Sequence, residues 1–252
     1  MNPYIFFLDI DGTLAARGEV PEENARAIKE AQNAGHYVFI NTGRSYGNIT
    51  ENILQAAPYD GFVCGLGADI RIHGEQIYAK RLSQDLLEKV AEIFLENPIP
   101  FSVFEGEDCI YHVGEETFGM PWTPIRSKTD FRDKYPDAKI SKFSCSTTDF
   151  SLFEPLYDEV TPYIHPMYGE FALKGHSKAN AMHMVAEKLG VPMSRCVAVG
   201  DSANDAEMLA EAGIAVVMQN GTDEMKQLAD MITGNAWEAG VAEAIRKIIK
   251  ES

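Results

Sequence analysis

The sequence predicts an α/β protein: a doubly wound, largely parallel sheet interrupted by an inserted α+β unit. Three observations carry that prediction. Short apolar runs at 4–10, 37–41 and 61–64 alternate with helical stretches and are joined by short connections. Such a β-α-β-α-β order gives a parallel sheet with helices on both faces. The same rhythm returns after about residue 171. Between the two, strands and helices segregate, which marks a separate α+β unit. The expected division is a core of residues 1–81 and 171–252 and an insert of residues 82–170.

The elements follow in order. Residues 4–10 form an apolar and aromatic run, the pattern of a fully buried strand, and it ends at Asp-Ile-Asp-Gly-Thr. Residues 21–34 read as a helix, with Pro21 near its first turn, Glu22 and Glu23 at the positive end of its dipole and Gly35 as its stop. The strand at 37–41 leads into Thr-Gly-Arg, and 45–55 reads as one helix before the strand at 61–64. A hairpin is expected around Gly74-Glu75. Ser83 caps a helix whose apolar face is Leu86, Leu87, Val90, Ile93 and Phe94, stopped at Asn97-Pro98. A second hairpin spans 101–113. Residues 114–138 carry no clear pattern. Strands at 139–145 and 160–165 flank a short helix at 150–157. The closing rhythm comprises helices at 178–189, 204–212, 222–228 and 237–250, with strands at 196–199, 214–217 and 231–232.

Composition narrows the function classes. The chain has 252 residues, 45% of them apolar, which is enough for a substantial core. A formal net charge of -16 disfavours nucleic acid and anionic membrane as partners. The N-terminal stretch has no basic segment followed by a cleavage site, so no signal peptide is expected. No apolar run approaches the roughly 20 residues of a membrane helix. Cys64, Cys109, Cys145 and Cys196 stand far apart with no CxxC, which argues against zinc and for a reducing compartment. A cytoplasmic protein, monomeric or a small homo-oligomer, is expected.

Four segments carry candidate chemistry. Residues two apart on a strand point the same way, so Asp9 and Asp11 arrive together where the first strand gives out. Two close carboxylates need a cation between them or a proton on one. Either state serves phosphoryl transfer. Gly200-Asp201-Ser202-Ala203-Asn204-Asp205 ends another buried strand and opens a helix. Ligands of doubly wound sheets bind beyond such strand ends, so Asp9, Asp11 and Asp201 make an all-oxygen site suited to magnesium. Capping by Ser202 and Asn204 is the simpler reading of that cluster, and the two are compatible. Thr42-Gly43-Arg44 offers a hydroxyl and a backbone amide at a β-α turn, although an ordinary turn looks the same. Lys178 follows Lys174-Gly175-His176-Ser177 at a helix start, where a cation opposes the dipole. That placement calls for a compensating anion nearby.

Taken together, the order DxDGT, Thr, Lys, GDxxND resembles the haloacid dehalogenase superfamily, and the inserted unit resembles the large α+β cap of its Cof-like branch. The stretches KGHSKANAM and GDSANDAEML are similar to that branch as well. The resemblance implies a Rossmann-like core and a magnesium-dependent phosphatase of small phosphorylated metabolites, sugar phosphates first. It implies that Asp9 is the nucleophile and forms an aspartyl phosphate, and that Asp11 is the acid and base. Magnesium would be held by Asp9, the Asp11 carbonyl and Asp201, with Asp205 behind them. Thr42, Gly43, Lys178 and Asn204 would hold the phosphoryl oxygens. The chain departs from the branch at Leu66-Gly67 and at Met218-Gln219-Asn220-Gly221, on the substrate side. A phosphomutase shares every core motif. A receiver domain would lack the insert, and a binding protein with a vestigial site would not need the full residue set.

Overall fold

The structure is a computed structural model that describes residues 2–97, 99–114, 119–147, 149–165 and 167–251. Along the chain run β1 (Ile5–Leu8), α1 (Glu22–Asn33), β2 (Tyr37–Asn41), α2 (Glu51–Leu54), β3 (Gly61–Cys64), β4 (Asp69–Ile72) and β5 (Glu75–Ala79). Next come α3 (Gln84–Glu96), β6 (Phe101–Gly106), β7 (Ile110–Val113), β8 (Thr123–Ile125), α4 (Asp130–Asp133), β9 (Ile140–Ser146), β10 (Val160–Ile164) and β11 (Gly169–Leu173). The chain closes with α5 (Lys178–Leu189), β12 (Cys196–Gly200), α6 (Ala206–Glu211), β13 (Ile214–Met218), α7 (Asp223–Lys226), β14 (Met231–Thr233) and α8 (Gly240–Lys250).

Two compact units emerge. The first comprises Met1–Gly43, Ile49–Tyr78 and Ser177–Ser252. Its sheet runs β14-β13-β12-β1-β2-β3-β4-β5. Strands β14 through β3 are parallel, and β4 returns antiparallel to β3. The chain leaves β1 toward β2 on one side, while β12 pairs with β1 on the other. That reversal puts a crevice beyond the carboxyl ends of β1 and β12. Both strands are buried along their whole length, so they read as unbroken apolar runs and not as alternating ones. Ile5, Phe7, Phe39, Val63, Met182, Val185 and Ala198 pack together on one face of the sheet.

The second unit comprises Arg44–Asn48 and Ala79–His176. Its sheet runs β10-β11-β9-β6-β7-β8. One face is lined by Phe104, Phe143 and Phe171, against which α3 packs Leu86, Leu87, Val90 and Phe94. Phe143 and Phe171 stack with ring centroids 4.6 Å apart. Lys142 is buried between the carboxylates of Glu105 and Glu170. Ser83 caps α3 by accepting from the Leu86 amide.

Three departures from the sequence reading have physical causes. The helix expected at 45–55 is split into a 3₁₀ turn at Tyr46–Asn48 and α2. Asn48 Nδ2 donates to Glu105 Oε2 at 3.0 Å, and Gly47 lies against the backbone of residues 106–108, so this turn belongs to the second unit. Residues 169–173 form β11, which pairs with both β9 and β10, and the second unit therefore runs to His176. The 73–74 turn is one residue earlier than expected, with His73 and Gly74 both at positive φ. Asn97 ends α3, while its expected partner in that stop, Pro98, lies outside the described residues, as do 115–118 of the unpatterned stretch. Within that stretch β8 pairs parallel to β7 and α4 forms a single turn. Among the described residues, no helix is long and apolar enough to cross a membrane. All four cysteines are free.

Candidate active site

Asp9 is the first residue past β1. Its amide still donates to Val199 O of the neighbouring strand at 3.0 Å, so the sheet fixes its backbone. The residue is 4% exposed. The chain then folds back, with the Leu14 amide on Asp9 O and the Ala15 amide on Ile10 O. Gly12 makes that turn at φ +78°, and a Cβ there would stand 2.5 Å from Asp201 Oδ2. The turn and the close approach both require glycine. Thr13 Oγ1 donates to Asp201 Oδ1 at 2.9 Å, which ties the loop after β1 to the loop after β12.

Lys178 lies at the centre. Its Nζ donates to Asp9 Oδ1 at 2.7 Å, to Asp205 Oδ1 at 2.6 Å and to Asn204 Oδ1 at 3.0 Å. Ser177 caps α5 by accepting from the Asn180 amide. Asn41 Nδ2 donates to Lys178 O at 3.1 Å, which secures the first turn of the helix. The anion that the placement of Lys178 demanded is thus the pair Asp9 and Asp205. Burial opposes the ammonium charge, yet the two carboxylates hold it above the usual lysine range.

Asp205 is fully buried. Its Oδ2 accepts from the amides of Asp201 at 3.0 Å and Ser202 at 3.1 Å, while Oδ1 takes the lysine. Gly200 lets this happen, because a Cβ there would stand 2.5 Å from Asp205 Cγ. Asp9, Asp201 and Asp205 each offer an oxygen, all within 4.8 Å of one another. Three carboxylates facing one ammonium leave an excess of negative charge in a buried place. Burial pushes the Asp9 carboxyl well above its ordinary range, Lys178 draws it back, and Asp205 and Asp201 push it up again. Burial and then Asp205 raise Asp201 to about 6. An all-oxygen cluster with unbalanced negative charge fits a hard divalent cation.

The other expected residues are placed as follows. Asp11 is exposed beside the cluster, outside the carboxylate trio but near enough for its charge to act on Asp201. Thr42 and Gly43 are buried just past β2, the strand on the other side of β1. The sequence reading missed Thr13 and Asn41. Thr13 stands inside DxDGT, where only the two aspartates are assigned chemistry from sequence, and nothing local to Asn41 announces a contact with residue 178.

A family model for haloacid dehalogenase-like hydrolases matches residues 6–245. The chain belongs to that family. A phosphoglycolate phosphatase of Methanothermobacter thermautotrophicus is 36% identical over 96% of this chain and 97% of its own. A 5-amino-6-(5-phospho-D-ribitylamino)uracil phosphatase of Bacillus subtilis is 29% identical, covering 95% of this chain and 93% of its own. An Arabidopsis thaliana protein named as a chloroplastic endoribonuclease is 30% identical over 95% of this chain, which spans only 45% of that protein. Among solved structures, a superfamily phosphatase from Bacteroides thetaiotaomicron superposes with a TM-score of 0.83 at 23% identity, over 98% of this chain and 95% of its own. The class of enzyme is phosphoric monoester hydrolase, on a Rossmann-like α/β core of the Cof-like branch.

Proposed function

We propose that the protein is a magnesium-dependent phosphatase of small phosphorylated metabolites, sugar phosphates foremost, with Asp9 as its nucleophile. The observation that carries this reading is the buried Asp9 carboxylate, held by Lys178 and set beside Asp201 at the β1–β12 crevice. Fixing one carboxylate oxygen on a lysine orients the group for in-line attack on phosphorus.

In the first step an Asp9 oxygen bonds to phosphorus and the bond from phosphorus to the leaving oxygen breaks. Asp11, beside the cluster, gives the departing alkoxide its proton. In the second step Asp11 takes a proton from water, the water oxygen bonds to phosphorus, and phosphate leaves as Asp9 is restored. Thr42, the Gly43 amide, Lys178 and Asn204 hold the phosphoryl oxygens. When bound by Asp9, Asp201 and the Asp11 carbonyl, magnesium supplies charge that offsets the phosphoryl oxygens and the carboxylates. Asp205 is assigned to positioning, because both of its oxygens are already engaged with Lys178 and the loop amides. The inserted unit, residues 82–170 in the sequence reading, is assigned to sorting substrates by the group that bears the phosphate. The two bacterial and archaeal relatives named above act on small phosphorylated compounds, which supports that class.

The test is phosphate release from a panel of phosphorylated metabolites with magnesium or with EDTA, and with Asp9→Asn as control. Release by the native chain with magnesium alone supports the reading. Isomerisation of a sugar phosphate that needs a bisphosphate activator, without release, would replace it by a mutase.

A further inference from the structure

The turn after β13 carries a residue that the catalytic scheme does not use. Asn220 Nδ2 donates to Gly12 O at 2.7 Å, and Asn220 Oδ1 accepts from the Ala236 amide at 2.9 Å. One side chain therefore joins the loop after β1 to the loop after β14, across 208 residues of sequence on one side and 16 on the other. The same turn reaches the second carboxylate loop. The Thr222 amide donates to Asp201 O at 3.2 Å, and a Cβ on Gly221 would stand 3.1 Å from that oxygen.

Gly12 is the place where this grip matters. It lies between Asp11 and Thr13, so its peptide groups set the direction of both neighbours. A Cβ on it would meet the Asp201 carboxylate, to which Thr13 is bonded. A shift of this turn would move Asp11 and Asp201 relative to one another. Catalytic groups of this kind lose much of their effect when displaced by even 1 Å.

We infer that Asn220 is a positioning residue, a clamp that holds the Asp11–Gly12 turn in register with Asp201 and so sets turnover and metal affinity. The inference rests on the roles assigned to Asp11 and Asp201 above. It also gives a meaning to Met218-Gln219-Asn220-Gly221. The amide of Asn220 is used, while its neighbour Gln219 is exposed.

The test compares Asn220→Ala and Asn220→Asp with the native chain. Three readouts are needed: hydrolysis of p-nitrophenyl phosphate with magnesium at pH 7.5, magnesium binding by calorimetry, and thermal melting in EDTA. Asn220→Ala loses both bonds. A clamp predicts kcat down about tenfold, the factor expected for one well-placed hydrogen bond, with KM little changed. Magnesium binding should weaken about as much. Asn220→Asp keeps the acceptor for Ala236 but sets a carboxylate against Gly12 O. It should be no faster than Asn220→Ala, because an ionised carboxylate cannot donate. Native kcat and native magnesium affinity in folded Asn220→Ala would overturn the inference. If the native chain itself released no phosphate, the hydrolase reading would fail, and calorimetry would still decide for or against the clamp.

Discussion

Lys178 and Asp201 show how the site stores unfavourable charge. Lys178 is shared between Asp9 and Asp205 and is almost wholly buried. Removing it leaves two buried carboxylates without their counter-ion, so Lys178→Ala should destabilise the metal-free chain by about 3–5 kcal/mol in urea titrations. Asp201 is the reverse case. Its carboxyl is raised to about 6 because burial and Asp205 oppose its charge. Asp201→Asn keeps an oxygen for Thr13 and sheds that charge. It should therefore melt higher than the native chain in EDTA at pH 7.5, while binding magnesium far more weakly. Equal melting of the two proteins would show that the carboxylate cluster carries no strain. Stability given up for function at such sites is a general pattern.

At the level of elements, the strand ends and helix starts decide the geometry. Ser177 accepts from the Asn180 amide and fixes the first turn of α5, the turn that delivers Lys178. Ser177→Ala should cost about 1 kcal/mol in denaturant unfolding and should also slow turnover, since the lysine loses its fixed base. A loss of stability with unchanged kcat would mean that Asn41 alone holds that turn. Much of this was legible in sequence. The apolar runs leading to Asp9 and Asp201 are short and unbroken, and only a doubly wound sheet buries both ends of such a pattern side by side. The split of the 45–55 helix was not legible, because its cause is a bond from Asn48 to Glu105. The same holds for β11, whose five residues look no different from the lead-in to α5 until they pair with β9 and β10. Contacts made between distant segments, such as Asn41 with Lys178, leave no local signature.

For the whole molecule the consequence is a coupling of pH, metal and stability. A carboxyl whose folded pKa lies above its unfolded value favours folding while protonated. Its contribution is complete below about pH 4 and is lost as pH rises through about 6. The melting difference between Asp201→Asn and the native chain in EDTA should therefore widen from pH 4.5 to 7.5. Magnesium should reverse it for the native chain alone, since ligand binding to the folded state raises its stability. The same protons compete with the cation, so magnesium affinity should fall as pH drops below about 6. Calorimetry at pH 5.5 and 7.5 measures that directly, and equal affinities would remove Asp201 from the ligand set.

A nucleophilic Asp9 bonds to phosphorus during turnover. The most direct measurement is to quench the working enzyme with acid, reduce it with borohydride and sequence its peptides by mass spectrometry. An aspartyl phosphate at residue 9 is reduced to homoserine at that position alone, an outcome expected in the presence of substrate and magnesium and not in Asp9→Asn. Steady phosphate release with unmodified Asp9, or with the modification on another carboxylate, would contradict it.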